Sequence, residues 1–61
     1  MKQYFFEIQF TSGKQESVWA FSWPEAKILA QARQILEGNS YDVRSIYCKE
    51  IGLMNFPVDN Q

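Results

Sequence analysis

The chain has 61 residues, with six Lys and Arg against seven Asp and Glu, one cysteine and no histidine. A chain of this length forms one small domain that buries only about 60% of the surface its unfolded form exposes, so its stability is marginal. A lone cysteine excludes an intramolecular disulfide, and without histidine the ordinary zinc and haem ligand sets are missing. We therefore expect no cofactor and no metal. The formal net charge of −1 favours neither a polybasic nor a polyacidic partner.

Hydropathy predicts a protein without membrane contacts. No apolar stretch approaches the roughly 20 residues of a membrane span, and residues 1–3 lead into an alternating pattern, not into a signal-peptide hydrophobic region. We therefore expect a cytoplasmic protein. Aromatic residues make up 16% of the chain, so the main question is which rings are buried and which are exposed.

Two alternating segments near the N-terminus predict a β-hairpin. Residues 4–11 form the first strand, and residues 15–21 form the second. Between them, Gly13 supplies a turn conformation that other residues adopt only at a cost. Alternation along the first strand predicts one inward-facing set. Its members are Tyr4, Phe6, Ile8 and Phe10.

A helix is predicted over residues 22–37. Ser22 is a good N-cap, Pro24 lies in the first turn, where an N–H is not needed, and Glu25 stands where a capping box requires it. Gly38 ends the helix. We expect one apolar stripe of the helix to face the sheet and the polar side to face water. The stripe consists of Ile28, Leu29, Ala32, Ile35 and Leu36, and the opposite side carries Lys27, Gln31, Gln34 and Glu37.

A third strand is predicted at residues 43–51, with Ile46 and Cys48 facing the core. The predicted fold class is α+β: a single ββαβ domain at residues 1–52, with a three-stranded antiparallel sheet in the order 2-1-3 and one amphipathic helix packed on one face. Residues 53–61 form a C-terminal tail. The tail keeps four large apolar residues, which are Leu53, Met54, Phe56 and Val58.

The register of the hairpin decides which rings are exposed, and the sequence leaves two registers open. A two-residue turn pairs Phe6 with Trp19 and places Trp19 in the core. A longer turn pairs Phe6 with Ala20, turns Val18 and Ala20 inward and leaves Trp19 outside. We favour the longer turn because small side chains fit better beneath a helix whose stripe already carries large ones.

In the favoured register, aromatic residues line the sheet face that the helix leaves uncovered, and such a face would be a binding surface. Trp23, at the helix entrance, either packs the adjoining loop or joins that surface. The candidate partner-binding residues are Phe5, Trp19, Phe21, Trp23 and Tyr47. Three occupants of the face remain open: the apolar tail, a second copy of the chain, and a separate partner.

Catalysis finds no support in the sequence. A nucleophile needs a neighbouring base, and without histidine no such constellation is visible. Cys48 stands at an apolar inward position, where a thiol behaves as a small hydrophobe. The glycines are isolated, so no phosphate-binding loop is present. We predict a protein that is not an enzyme and has no catalytic residues.

A single-stranded nucleic acid is the alternative partner, because rings on an open antiparallel sheet stack on bases in RNA-recognition-motif and OB-type domains. The charge distribution disfavours it. The six basic residues are spread over all elements and are balanced by acids, whereas surfaces that follow phosphates gather their basic residues on one side.

Residues 18–27, VWAFSWPEAK, follow an alternating hairpin and lead into a short helix and a final strand. This pattern resembles small proteins of phages and other mobile elements, including some anti-CRISPR inhibitors. At the level of architecture the resemblance covers residues 3–51, and it implies a protein that binds and occludes a host factor. The predicted function is therefore a protein–protein interaction module that inhibits or modulates a host factor, and we expect a homodimer.

Overall fold

A computed structural model describes residues 1–56 of the chain. All of its strands pair antiparallel in one sheet of order β2-β1-β3-β4, and the helix α1 packs on one side of that sheet. The predicted α+β class with one helix and an antiparallel sheet is confirmed. The elements in chain order are β1 (Tyr4–Phe10), β2 (Gln15–Ala20), α1 (Trp23–Leu36), β3 (Val43–Cys48) and β4 (Gly52–Asn55).

The described sheet has four strands, so the prediction of three is wrong. The third strand ends at Cys48 instead of at residue 51, because the Ile51 N–H donates to the Cys48 carbonyl at 3.2 Å and closes a turn. Gly52 follows with φ 108°, a conformation that side chains disfavour, and the chain reverses there into β4. The predicted tail thus contributes residues 53–55 to the sheet. Val58, with the rest of residues 57–61, lies outside the described residues.

The hairpin turn holds three residues, 11–13, and its register differs from both predicted ones. The Phe10 N–H donates to the Lys14 carbonyl at 2.9 Å, and the Gly13 N–H donates to the Phe10 carbonyl at 3.0 Å. Gly13 has φ 94°, as the last residue of a three-residue hairpin turn requires. Phe6 consequently pairs with Val18.

The prediction of which β2 side chains face the core is nevertheless confirmed. The observed pairing is shifted by two residues from the predicted longer-turn register, and a shift of two leaves every side chain on the same face. Val18 and Ala20 are buried, whereas Trp19 lies outside opposite Phe5. The inner face of the sheet supplies most of the core. Its buried residues are Phe6, Ile8, Phe10, Val18, Ala20, Val43, Ile46 and Cys48.

Both ends of α1 lie within one residue of their predicted positions. Ser22 is the N-cap by its extended backbone but makes no side-chain cap hydrogen bond. Glu25 accepts from the N–H of Phe21 at 2.7 Å and not from that of Ser22, so the predicted capping box is not formed. At the other end, Gly38 has φ 78°, and the N–H of Asn39 donates to the Gln34 carbonyl at 2.9 Å. This is a Schellman motif.

The side of α1 that faces the sheet is opposite to the predicted one. Ala26 and Ala30 are fully buried and Gln34 is 1% exposed. The predicted inward stripe is exposed to solvent instead, at 65% for Ile28, 42% for Leu29, 56% for Ile35 and 87% for Leu36. The large rings on the inner face of the sheet already fill the space between the layers. Only small residues allow the helix to approach that surface closely.

Gln34 is buried because its amide has partners on both sides. Its Nε2 donates to Glu16 Oε2 at 2.6 Å, and its Oε1 accepts from Asn39 Nδ2 at 3.1 Å. Arg33 Nη1 also lies 3.3 Å from Glu16 Oε1. Every buried side-chain nitrogen or oxygen in residues 1–56 has a hydrogen-bond partner. Burial of the Gln34 amide therefore leaves no polar group unpaired. The network ties the end of α1 to β2.

Candidate interaction surfaces

The side of the sheet that faces away from α1 carries exposed apolar residues on all of its strands. Phe5 is 40% exposed, Trp19 60% and Tyr47 43%. The rings of Phe5 and Trp19 lie 5.1 Å apart at an interplanar angle of 55°, as a cross-strand aromatic pair. Leu53, 59% exposed, stands opposite Tyr47 on β4. We call the surface formed by Phe5, Trp19, Tyr47 and Leu53 the open face.

The open face has a polar border on its β1, β3 and β4 side. Glu7 pairs with Ser17 on one side and with Tyr47 on the other, so it lies on the same side of the sheet as the Tyr47 ring. A shallow depression beside it brings one acidic and one basic side chain together and contains no cluster of like charges. Its lining residues are Glu7, Gln9, Arg44, Ser45, Tyr47, Leu53 and Asn55.

The two remaining predicted site residues lie at the entrance to α1. Phe21 occupies the bend before the helix and is 44% exposed. Trp23 is the first residue of α1, and its ring lies 5.7 Å from the ring of Phe56. Since Phe56 packs against the core, Trp23 joins the helix side of the molecule. The structure therefore brings Phe5, Trp19 and Tyr47 onto one face and leaves Trp23 apart from them.

A second apolar surface lies on α1, and sequence reasoning missed it by placing its residues in the core. We call Ile28, Leu29, Ala32, Ile35 and Leu36 the helix stripe. The signal that locates it is the spacing of Ala26 and Ala30, which puts two small residues one turn apart on the opposite side. Between the helix stripe and β2 runs the β2 groove. It is lined by Ser17, Val18, Trp19, Leu29, Ala32, Arg33 and Leu36.

The outer border of the β2 groove is an unpaired strand edge. The hydrogen bond from Phe10 to Lys14 shows which residues of β2 bond to β1, and in an antiparallel pair these alternate with residues that point away. The N–H and C=O groups of Gln15, Ser17 and Trp19 therefore point outward. Within residues 1–56, β2 has no neighbour on that side.

Cys48 lies inward on β3, as predicted, and is 1% exposed. Its Sγ donates to Glu50 Oε1 at 3.2 Å. That hydrogen bond is the main reason why the pKa of Glu50 is lowered, and the neighbouring Lys2 and Lys49 lower it further. Glu50 therefore stays an ionised acceptor for the thiol. Among residues 1–56, no three His, Cys, Asp or Glu side chains converge as a metal site, and no helix there is long and apolar enough to span a membrane.

No protein-family model matches the chain, and neither a curated protein nor a solved structure matches it significantly.

Proposed function

We propose that this chain is a non-enzymatic module that binds a partner protein on the open face. The observation that carries the proposal is the exposed cross-strand pair of Phe5 and Trp19, which Tyr47 and Leu53 extend across the sheet. Small soluble domains rarely leave such a surface bare. Aromatic residues are enriched at the centres of protein interfaces, because they contribute a large contact area at a low entropy cost.

The charges near the open face support a protein partner over a nucleic acid. Glu7 lies on the open face opposite Tyr47, and the only basic residue that lines the adjoining depression, Arg44, shares it with that carboxylate. A surface that follows a phosphate backbone needs several basic side chains on one side. A mixed polar border around apolar anchors is instead the usual anatomy of a protein interface.

The proposed action is occlusion of a host factor, in keeping with the resemblance to small phage and mobile-element proteins. Inhibition of this kind needs only a stable surface that covers a functional site on the partner. Buried side-chain polar groups in the described residues are satisfied internally, which leaves the exposed rings as the groups that gain most from contact with a partner.

The test begins with a photo-reactive phenylalanine analogue in place of Phe5, which captures a protein that contacts the open face in the source cell. The captured protein is then purified, and its affinity is measured for wild type, for Tyr47→Ala and for Tyr41→Ala. Tyr41 is a matched control, because it is 49% exposed but lies in the loop before β3. Loss of an aromatic anchor weakens the free energy of binding by about 2 kcal/mol. Tyr47→Ala should therefore raise Kd about 30-fold, and Tyr41→Ala should leave it unchanged.

Equal affinities for the two tyrosine variants would refute the role of the open face. Oligonucleotide binding that weakens steeply with salt and is lost in Tyr47→Ala would replace the protein partner with a nucleic acid.

A further inference from the structure

We propose that two copies of the chain pair through their β2 edges, in antiparallel register about a twofold axis at Ser17. Two four-stranded sheets then join into one continuous eight-stranded sheet. The two helices lie side by side on the same side of it, and the flanks that carry Leu29 and Leu36 cover each other. This assembly does not depend on what the open face binds.

The strand edge is complementary to itself. Its outward-facing groups belong to Gln15, Ser17 and Trp19, which are spaced evenly about Ser17. Antiparallel pairing centred there sets Ser17 opposite its own copy and Gln15 opposite Trp19 of the second copy. Every outward N–H then meets a C=O, which makes about six hydrogen bonds across the axis. A bare edge of this kind readily pairs with another chain.

The position of α1 over β2 brings its apolar flank into the same interface. Because α1 contacts β2 more extensively than β1 or β3, the two helices of the dimer stand next to the twofold axis. The flank of α1 that borders the β2 groove carries Leu29 and Leu36. Each groove therefore opens toward the helix of the other copy, and the apolar flanks meet there.

The apolar area matches what a stable dimer needs. If a large apolar residue offers roughly 150–250 Å² in total, the exposed fractions of Leu29 and Leu36 amount to about 250 Å². Ala32, Arg33 and the outer backbone of β2 bring this to about 600 Å² per partner, the lower end of specific interfaces. The whole described surface is 4346 Å², so this contact covers roughly a seventh of it.

The charges on this surface allow two identical copies to meet. Among the residues that line the β2 groove, Arg33 is the one charged side chain, and Glu16 neutralises it at 3.3 Å. The helix stripe itself carries no charge. Approach of two copies therefore creates no like-charge repulsion, which is a condition for an interface between copies.

The register is tested by disulfide cross-linking. Cα atoms of a hydrogen-bonded antiparallel pair lie about 5.5 Å apart, within the range of a disulfide. Ser17→Cys should therefore give a covalent dimer under mild oxidation. Gln15→Cys is the matched control, because two copies of position 15 stand about 14 Å apart in this register and should remain unlinked. Cys48 is buried and does not compete.

Sedimentation equilibrium tests the helix contact with two equivalent substitutions. Leu36→Lys places a charge in the interface and should raise the dimer dissociation constant at least 100-fold. Leu53→Lys places the same charge on the open face and should leave it unchanged. Both side chains are exposed in the single copy, so both variants should keep the wild-type far-UV spectrum.

Three results would overturn the proposal. They are a wild-type chain that is monomeric at 100 μM, equal cross-linking of the two cysteine variants, and dissociation caused by Leu53→Lys but not by Leu36→Lys. The last result would instead place self-association on the open face. The first two results do not bear on partner binding, which the Tyr47 and Tyr41 variants test separately.

Discussion

The two sides of α1 invert the usual arrangement of an amphipathic helix. The side against the sheet presents Ala26, Ala30 and Gln34, whereas the side against solvent presents four large aliphatic residues. The sheet explains the first side, because its inner face carries Phe6 and Phe10, both at most 1% exposed. A helix that lies on such large rings has room only for small residues.

The comparison shows that apolar periodicity locates a helix but does not decide which side is buried. The sheet-facing side is selected by volume, and the stripe left outside is the surface on which we propose self-association. Three pairs of variants test which residues of β1 and α1 are buried. The measured quantity is the free energy of unfolding at concentrations low enough to keep the chain monomeric, since dimerisation would add to apparent stability.

The largest effect is expected at the rings that exclude large helix residues. Phe6→Ala should lower the free energy of unfolding by about 3–5 kcal/mol, because it removes a fully buried ring and leaves a cavity. That loss is comparable with the whole stability of a small domain. Phe5→Ala is the neighbouring control, and its half-exposed ring on the open face should cost far less. Similar denaturant midpoints for the two variants would contradict the assigned facing of β1.

A smaller effect is expected when the small side of the helix is enlarged. Ala30→Leu should destabilise by about 1–3 kcal/mol, because the added atoms overpack a filled layer. The same change at Ala32, which lies exposed on the helix stripe, should stay within about 0.5 kcal/mol of wild type. Thermal unfolding followed by circular dichroism measures both variants. If Ala32→Leu proved the more destabilising, α1 would face the sheet by its other side.

The smallest effects compare one polar and one apolar residue of α1. Gln34→Ala should lower the free energy of unfolding by about 1 kcal/mol, because it removes the 2.6 Å donor to Glu16 Oε2 and leaves that carboxylate with Arg33 alone. Leu36→Ala should change stability by less than about 0.5 kcal/mol, because that side chain is 87% exposed. Urea denaturation measures both. The reverse order would restore the sequence-based prediction, which places Leu36 in the core and Gln34 in water.

The local elements follow from the sequence because their signals act over a few residues. Alternation at residues 4–11 predicts β1 and its inward set, and Gly38 ends α1 where a left-handed residue is needed. The open face follows less firmly. Alternation along β1 places Phe5 outward, but the sequence leaves open two hairpin registers that differ by one residue, and only one of them places Trp19 outside the core. The sequence therefore predicts part of the proposed partner surface, and the hairpin pairing decides the rest.

The tertiary structure decided the features that depend on two elements at once. A three-residue turn set the hairpin pairing, and Gly52 opened a fourth strand that depends on β3 for its hydrogen bonds. The helix stripe could not be located from α1 alone, because the stripe is excluded from the core by the volume of rings on β1. Periodicity is a property of one segment, whereas packing is a property of the space between two. That space, and not the hydrophobicity of the stripe, left these large residues exposed to solvent.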